Sequence, residues 1–206
     1  MLVLASASPR RQELLRNAHI EFTVRPAHVE ERRHEGESPV EMVERLAAAK
    51  AVAIRDACMR EQQHGITVVG ADTTVVVGEQ VLEKPADERD AARMLRLLSG
   101  RTHQVITGVC LAGEGFADVR HETTTVFFDK LAKRDIDSYV ASGESMDKAG
   151  AYAIQGVASR WIPRIEGDYF NVVGLPVALL VRMLKEHGAL TENSSQRHRD
   201  TEKPSS

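Results

Sequence analysis

The chain has 206 residues, 42% of them apolar and 28% charged, with a formal net charge of −3, values typical of a globular protein with a substantial core. The slight acidity and the aromatic content of 4% argue against a nucleic-acid-binding protein. The N-terminal apolar run is too short for a signal peptide, and no run approaches the ~20 apolar residues of a membrane span. With only the isolated Cys58 and Cys110, we expect a cytoplasmic protein whose cysteines fill apolar space, with no membrane or nucleic-acid partner.

The first predicted elements are a short strand over residues 2–5 and a helix that follows it. Ser8 is a favoured N-cap, and Pro9 suits the first helical position because its missing N–H has no partner there. A helix start presents free backbone N–H groups and the positive end of the helix dipole, with Arg10 and Arg11 beside it. The segment indicates either a phosphate-type anion site or an ordinary capped helix with solvated arginines.

A second helix is predicted after a strand near residues 21–24. Ser38 and Glu41 form a capping-box pattern, and apolar residues then recur at helical spacing as far as Gly65. Lys50 lies on the apolar face of this helix. A lysine in such a position either extends its ammonium group to water or has a functional partner.

The rest of the chain alternates between strands and helices, which predicts a mixed α/β (α+β) architecture. Strands are predicted at 66–70, 73–77, 102–112, 119–129 and 161–165, and helices after the Asp87 cap and at 134–141 and 175–187. Residues 1–190 contain no linker and are expected to form one domain. The polar, charged residues 191–206 predict a disordered tail.

Asp72 is the strongest candidate for chemistry. It separates two strand-like runs, so it is either a turn aspartate next to Gly70 or a carboxylate that is paired, hydrogen-bonded or metal-bound. Glu31 lies in a polar loop and is either solvated or a ligand for Mg²⁺. No Walker A, GxGxxG, GxSxG or HExxH pattern is present in the sequence.

Five segments, in this order, resemble the signatures of the Maf family and together span about residues 2–188. They are Ser6 to Arg11, Gly70-Ala71-Asp72-Thr73, Lys84-Pro85, the segment from Asp147 to Gly156, and Val172-Val173-Gly174-Leu175-Pro176. The resemblance implies a nucleoside triphosphate pyrophosphatase that cleaves between the α- and β-phosphates. It also implies a two-lobed fold similar to that of inosine triphosphatase, with an elongated mixed sheet and a central cleft, a homodimer, and dependence on Mg²⁺ or Mn²⁺.

The resemblance also implies roles for individual residues. Asp72 matches the catalytic acidic residue, and Glu31 joins it as a metal ligand. Positions that match the phosphate- and substrate-binding groups of the family are Ser8, Arg11, Lys50 and Lys84.

Three positions bear on the choice of substrate. Arg10, Thr73 and Gln155 resemble the branch that cleaves dTTP and UTP, whereas the 7-methyl-GTP branch tends to have Trp, Gln and Glu there. A glutamine amide offers both a donor and an acceptor to the edge of thymine or uracil. The alternatives are the 7-methyl-GTP activity and a nucleotide-sensing regulator of cell division without turnover.

Overall fold

A computed structural model describes residues 1–190; the predicted disordered tail at 191–206 lies outside the described residues. The described strands are β1 (Leu2–Leu4), β2 (Thr23–Val24), β3 (Thr67–Val77), β4 (Gln80–Leu82), β5 (Thr102–Gly113), β6 (Phe116–Phe127) and β7 (Arg164–Glu166). The α-helices are α1 (Pro9–Asn17), α2 (Pro39–Arg60), α3 (Glu88–Leu98), α4 (Lys133–Ala141), α5 (Tyr169–Val173) and α6 (Val177–Glu186). None of the helices within residues 1–190 has the length and apolar character needed to cross a membrane.

All described strands belong to one mixed sheet. The strand order is β2-β1-β3-β5-β6-β7, and β4 pairs with β3 beside this path. β1 runs parallel to β2 and β3, whereas the other pairs are antiparallel. The long β5–β6 hairpin extends the sheet, which confirms the predicted mixed α/β fold with an elongated sheet.

One edge of β3 contains a gap that positions the functional site. β5 pairs along one side of β3, while the other side is shared by β1, at residues 67–69, and β4, at residues 75–77. Between them, residues 70–74 have no neighbouring strand on that side within the described chain. Asp72 and Thr73 in the middle of β3 are half-buried and can be reached from this side, whereas Ala71 and Thr74 are buried.

The sheet separates a large core from two smaller clusters. α1, α3, α4 and α6 pack on one side in the large core, and α2 covers both smaller clusters on the other side. Cys58 and Cys110 lie in one of these smaller clusters, together with residues such as Val3 and Ile54, in agreement with their predicted role as apolar fillers.

α2 lies unusually close to the sheet because two strand residues facing it are glycines. A Cβ atom on Gly70 would lie 2.1 Å from the backbone oxygen of Ala47, and one on Gly108 would lie 2.3 Å from that of Val43. Lys50 is on the same face of α2, one helical turn further on. The close approach therefore brings Lys50 against the middle of β3.

Several predicted boundaries are confirmed, and others are wrong. Ser8 caps α1, and Ser38 and Glu41 form the complete capping box of α2, which ends at Arg60 rather than near Gly65. The prediction of two separate strands at 66–70 and 73–77 is wrong, since β3 pairs continuously with β5 through Asp72. Of the two alternatives for Asp72, the structure therefore excludes the turn aspartate and shows a paired carboxylate.

The segment after α4 differs most from the prediction. Residues Val157–Trp161 form a 3-10 helix, so the strand expected at 161–165 is displaced to β7. The short helix α5, capped by the Asp168 side chain, was not predicted. Five residues are too few for hydrophobic periodicity to indicate a helix.

The close packing of α2 against Gly108 of β5 predicts that Gly108→Ala destabilises the protein. We expect a loss of about 2–3 kcal/mol in the free energy of unfolding, because a methyl group would overlap the backbone of α2. Gly100→Ala is the matched control: its φ is +69° but its Cβ would meet no atom closer than 3.7 Å, so about 1 kcal/mol is expected. Urea unfolding measures both, and equal losses would contradict this account of the packing.

Candidate active site

The gap in the sheet opens into a cleft of about 620 Å³, a volume suited to a small-molecule ligand. All the residues singled out from the sequence line this cleft, and they are Ser8, Arg10, Arg11, Glu31, Lys50, Asp72, Thr73, Lys84 and Gln155. They come from six different segments of the chain. The structure therefore brings together every predicted site residue.

The N-terminus of α1 forms one wall of the cleft. The Ser8 side chain accepts from the backbone N–H of Arg11, and the Ser8 N–H donates to the Ser6 hydroxyl at 3.3 Å. Ser8 thus stabilises the helix start, whose positive end faces the cleft between residues 8 and 11. This arrangement can bind an anion through the first-turn backbone N–H groups.

The Arg11 guanidinium bridges the gap in the sheet. Its Nη1 donates to the backbone oxygen of Ala71 on β3 at 2.9 Å and to the Ser6 hydroxyl at 3.2 Å. Its Nε donates to the Gly174 oxygen at 2.8 Å, and its Nη2 to the Thr73 hydroxyl at 3.0 Å. Burial lowers the pKa of Arg11, opposed by the charge of Asp72, but a guanidinium remains charged.

These bonds limit what Arg11 can offer a ligand. A guanidinium has five N–H donors, and the four bonds described leave one of them. Arg11 can therefore provide positive charge and one hydrogen bond to a phosphate while it holds Thr73 and the backbone around Gly174 in place. Its role as a phosphate-binding group stays a prediction.

Asp72, Lys50 and Glu31 form an ion cluster at the base of the cleft. The Lys50 Nζ lies 2.7 Å from Asp72 Oδ1 and 2.6 Å from Glu31 Oε1. Lys50 is buried, with an exposure of 7%, so the interpretation in which its ammonium extends to water is wrong. A buried ammonium requires partners of opposite charge, and both carboxylates meet this requirement.

The electrostatic environment of Glu31 is dominated by this cluster. Partial burial opposes ionisation, but the hydrogen bond and charge of Lys50, with the charges of Lys84 and Arg11, lower the pKa of Glu31 below its ordinary value. Lys84 lies in the exposed segment after β4 and contributes its positive charge from the rim. Glu31 therefore carries its negative charge at neutral pH.

The carboxylates of Asp72 and Glu31 are also the groups of this cluster that could bind a divalent cation. Among the described residues, no group of three or more His, Cys, Asp or Glu side chains is arranged to hold a metal. One oxygen of each carboxylate lies within 2.7 Å of the same positively charged atom, the Lys50 Nζ. This donor set fits Mg²⁺, which is commonly bound by one or two carboxylates together with phosphate oxygens of the substrate.

The opposite wall of the cleft is formed by the segment after α4. Arg10 donates to the Asp147 carboxylate at 3.1 Å and to its backbone oxygen at 3.3 Å, so α1 contacts this segment across the cleft. Lys148 also pairs with Asp147. Gln155 is exposed on the same segment, where its amide can reach a ligand in the cleft.

Sequence reasoning missed the buried groups behind Thr73. The Thr73 and Thr107 hydroxyls lie 3.0 Å apart, and Thr107 donates to the backbone oxygen of Asn171 at 3.2 Å. The Asn171 amide is fully buried and donates to the Val105 oxygen at 2.9 Å. Polar residues in an apolar strand are the signal that could have identified Thr107; no comparable signal marks Asn171.

A mixed α/β fold whose sheet edge opens into a cleft of this charge pattern defines a protein that binds a small phosphorylated molecule next to an acidic group. A family model described as Maf-like protein matches residues 1–187. The chain therefore belongs to the Maf family, as its sequence signatures predicted.

Curated relatives match over nearly their whole length. A dTTP/UTP pyrophosphatase from Koribacter versatilis is 54% identical, with 92% of this chain and 95% of the relative covered. One from Symbiobacterium thermophilum is 51% identical, over 91% of this chain and 94% of the relative. A solved structure, the Staphylococcus aureus Ham1 protein, aligns with a TM-score of 0.47 and 17% identity, covering 90% of this chain and 98% of that chain.

The Arg11 network predicts that Arg11→Lys lowers stability. A lysine cannot reproduce the planar set of donors, so we expect a loss of about 2–3 kcal/mol in the free energy of unfolding as several buried acceptors lose their partners. Arg10→Lys is the control, because its pair with the exposed Asp147 contributes less than about 1 kcal/mol. Unfolding in guanidinium chloride measures both variants. Equal losses in the free energy of unfolding would show that the Arg11 hydrogen bonds across the gap in the sheet do not stabilise the fold.

Proposed function

We propose that this protein is a nucleoside triphosphate pyrophosphatase that hydrolyses dTTP and UTP to the nucleoside monophosphate and pyrophosphate. The observation that carries the proposal is the Asp72 carboxylate, fixed by Lys50 at 2.7 Å in a cleft with a helix N-terminus and further positive charges. Support comes from membership of the Maf family and from relatives about half identical that bear the name dTTP/UTP pyrophosphatase.

In this reaction a water molecule attacks the α-phosphorus. Asp72 accepts the proton of the water as the new P–O bond forms, and the bond between the α-phosphorus and the bridging oxygen breaks. Pyrophosphate leaves with that bridging oxygen. Asp72 is suited to this step because it lies on a strand in the middle of the sheet, where its position is fixed by pairing with β5.

Positive groups stabilise the charge of the triphosphate, which is the main requirement of phosphoryl-transfer chemistry. The N-terminus of α1 and Arg11 approach from one wall, Lys84 from the rim and Lys50 from the base. When substrate enters, its phosphates compete with Glu31 and Asp72 for the Lys50 ammonium. Lys50 therefore both orients Asp72 and neutralises phosphate charge.

The proposal includes a divalent cation, Mg²⁺ or Mn²⁺, held by Asp72 and Glu31. When bound, it supplies additional positive charge to the triphosphate. Glu31 is suited to this role because its lowered pKa keeps it ionised. Removal of divalent cations with a chelator is therefore expected to abolish turnover.

The base would be selected on the wall opposite β3. Gln155 offers a donor and an acceptor to the O4 and N3 positions of uracil or thymine, and Arg10 lies across the cleft from it. Thr73, held by Arg11, completes the three positions that resemble the dTTP/UTP branch. The predicted homodimer and cytoplasmic location are retained as parts of this proposal.

Asp72→Asn provides the central test. The substitution keeps the shape of the side chain but removes its ability to accept a proton, so pyrophosphate release from dTTP and UTP should fall by about 10²-fold or more. Asp137→Asn, an exposed position on α4, is the control and should keep full activity. A folded Asp72→Asn variant with near-normal turnover would refute the assignment.

The choice of base is tested with Arg10→Trp and Gln155→Glu together. We expect dTTP and UTP cleavage to fall by about tenfold or more, because a carboxylate cannot donate to the uracil edge. Rates are compared on dTTP, UTP, CTP and 7-methyl-GTP in the presence of Mg²⁺. An unchanged preference would exclude these residues from selectivity, and no turnover of any triphosphate by the native protein would support the sensor alternative.

A further inference from the structure

The buried Tyr139 and the half-buried Glu144 form a hydrogen-bonded pair directly behind the segment that carries Gln155. Tyr139 lies in α4, is 2% exposed and packs edge-on against Trp161 with ring centroids 5.4 Å apart. Its hydroxyl donates to Glu144 Oε1 at 2.9 Å. Burial raises the pKa of Tyr139, so its hydroxyl stays protonated and is the donor in this bond.

Tyr139 and Glu144 contact the backbone on both sides of Gln155. The backbone N–H of Ala153 donates to the Tyr139 hydroxyl at 3.1 Å, and that of Val157 donates to Glu144 Oε2 at 3.4 Å. The two anchored amides are two residues before and two residues after Gln155. The exposed Gln155 is therefore held between two fixed points although it lies outside regular secondary structure.

Gly156 shows how closely residues 153–157 pack against Glu144. A Cβ atom at this position would lie 1.9 Å from Glu144 Oε1 and 2.5 Å from its Cδ. The backbone beside Gln155 thus rests directly on the carboxylate. A side chain at Gly156 would displace the end of the Glu144 side chain, whereas the φ of −100° at this position is open to any residue.

The position of Gln155 is set by its backbone. Within the described residues, the Gln155 side chain is not among those with a hydrogen-bonded partner, so no neighbour orients its amide before a ligand binds. An amide on a loosely held backbone would have to be ordered at the moment of binding, which weakens affinity. Anchoring residues 153 and 157 reduces this cost.

We propose that Tyr139 and Glu144 are positioning residues for base recognition, holding residues 153–157 so that Gln155 presents its amide to the pyrimidine edge. This inference rests on the proposed function, because it assigns the pair to the same substrate. Neither residue lines the cleft, so they act through Gln155 rather than by touching the nucleotide.

The test is a double-mutant cycle measured by pyrophosphate release from UTP. Tyr139→Phe keeps the ring against Trp161 but leaves the Ala153 N–H without its acceptor, so we expect the KM for UTP to rise about tenfold with kcat changed less than twofold. Gln155→Ala should raise KM similarly. Adding Tyr139→Phe to Gln155→Ala should change KM by less than twofold, because the group being positioned is already absent.

The controls separate positioning from general damage. Tyr169→Phe removes a hydroxyl from an exposed ring on α5 and should leave KM and kcat unchanged. If Tyr139→Phe does not fold, Glu144→Ala replaces it: the substitution removes both oxygens that accept from Tyr139 and Val157, so a similar rise in KM is expected.

Two outcomes would overturn the inference while leaving the proposed function intact: an unchanged KM in a folded Tyr139→Phe variant, or full additivity of the two substitutions. Failure of the proposed function is recognised separately, because the native protein would then release no pyrophosphate from UTP or dTTP.

Discussion

The gap in the edge of β3, and the guanidinium that bridges it, is the constraint on which the rest of the site depends. β1 and β4 pair with the two ends of the strand and leave residues 70–74 open, where Asp72 lies. Arg11 replaces part of the missing strand by donating to the Ala71 backbone oxygen, and it also connects α1 to the segment around Gly174. The fold thus exposes a strand in the middle of a sheet and keeps it ordered.

The two walls of the cleft differ in how they are built, and this difference matches the chemistry proposed for each. Asp72 and Lys50 belong to regular elements whose separation is set by the contact of α2 with Gly70. Gln155 lies on the opposite wall, an irregular segment held by contacts of Arg10 and Tyr139 with its residues. Phosphate chemistry is common to all triphosphates and suits the rigid wall, whereas recognition of one base suits a wall that loop residues can alter.

Local patterns predicted local structure well. The caps at Ser8, Ser38 and Asp87 identified the helix starts because each places a side-chain acceptor next to free N–H groups. The continuity of β3 through Asp72 was not predicted, since the partner that stabilises a charge in a strand, Lys50, is distant in sequence. For the same reason, the residues alone left Glu31 open between a solvated side chain and a ligand for Mg²⁺, and only the resemblance favoured the second. The burial of the site residues, their ion-pair partners and the Tyr139–Glu144 contacts depend on tertiary structure, which cannot be deduced from the spacing of residues in the sequence.

An open strand edge carries a hazard for any protein, because its unpaired N–H and C=O groups can pair with a strand of another molecule. On β3 the open stretch is limited to residues 70–74 and is recessed between β1 and β4. Charged groups of both signs surround it, including Arg11, Lys50 and Asp72. The same charges that suit the cleft to a triphosphate therefore oppose intermolecular sheet formation, so solubility and ligand binding are maintained by one set of residues.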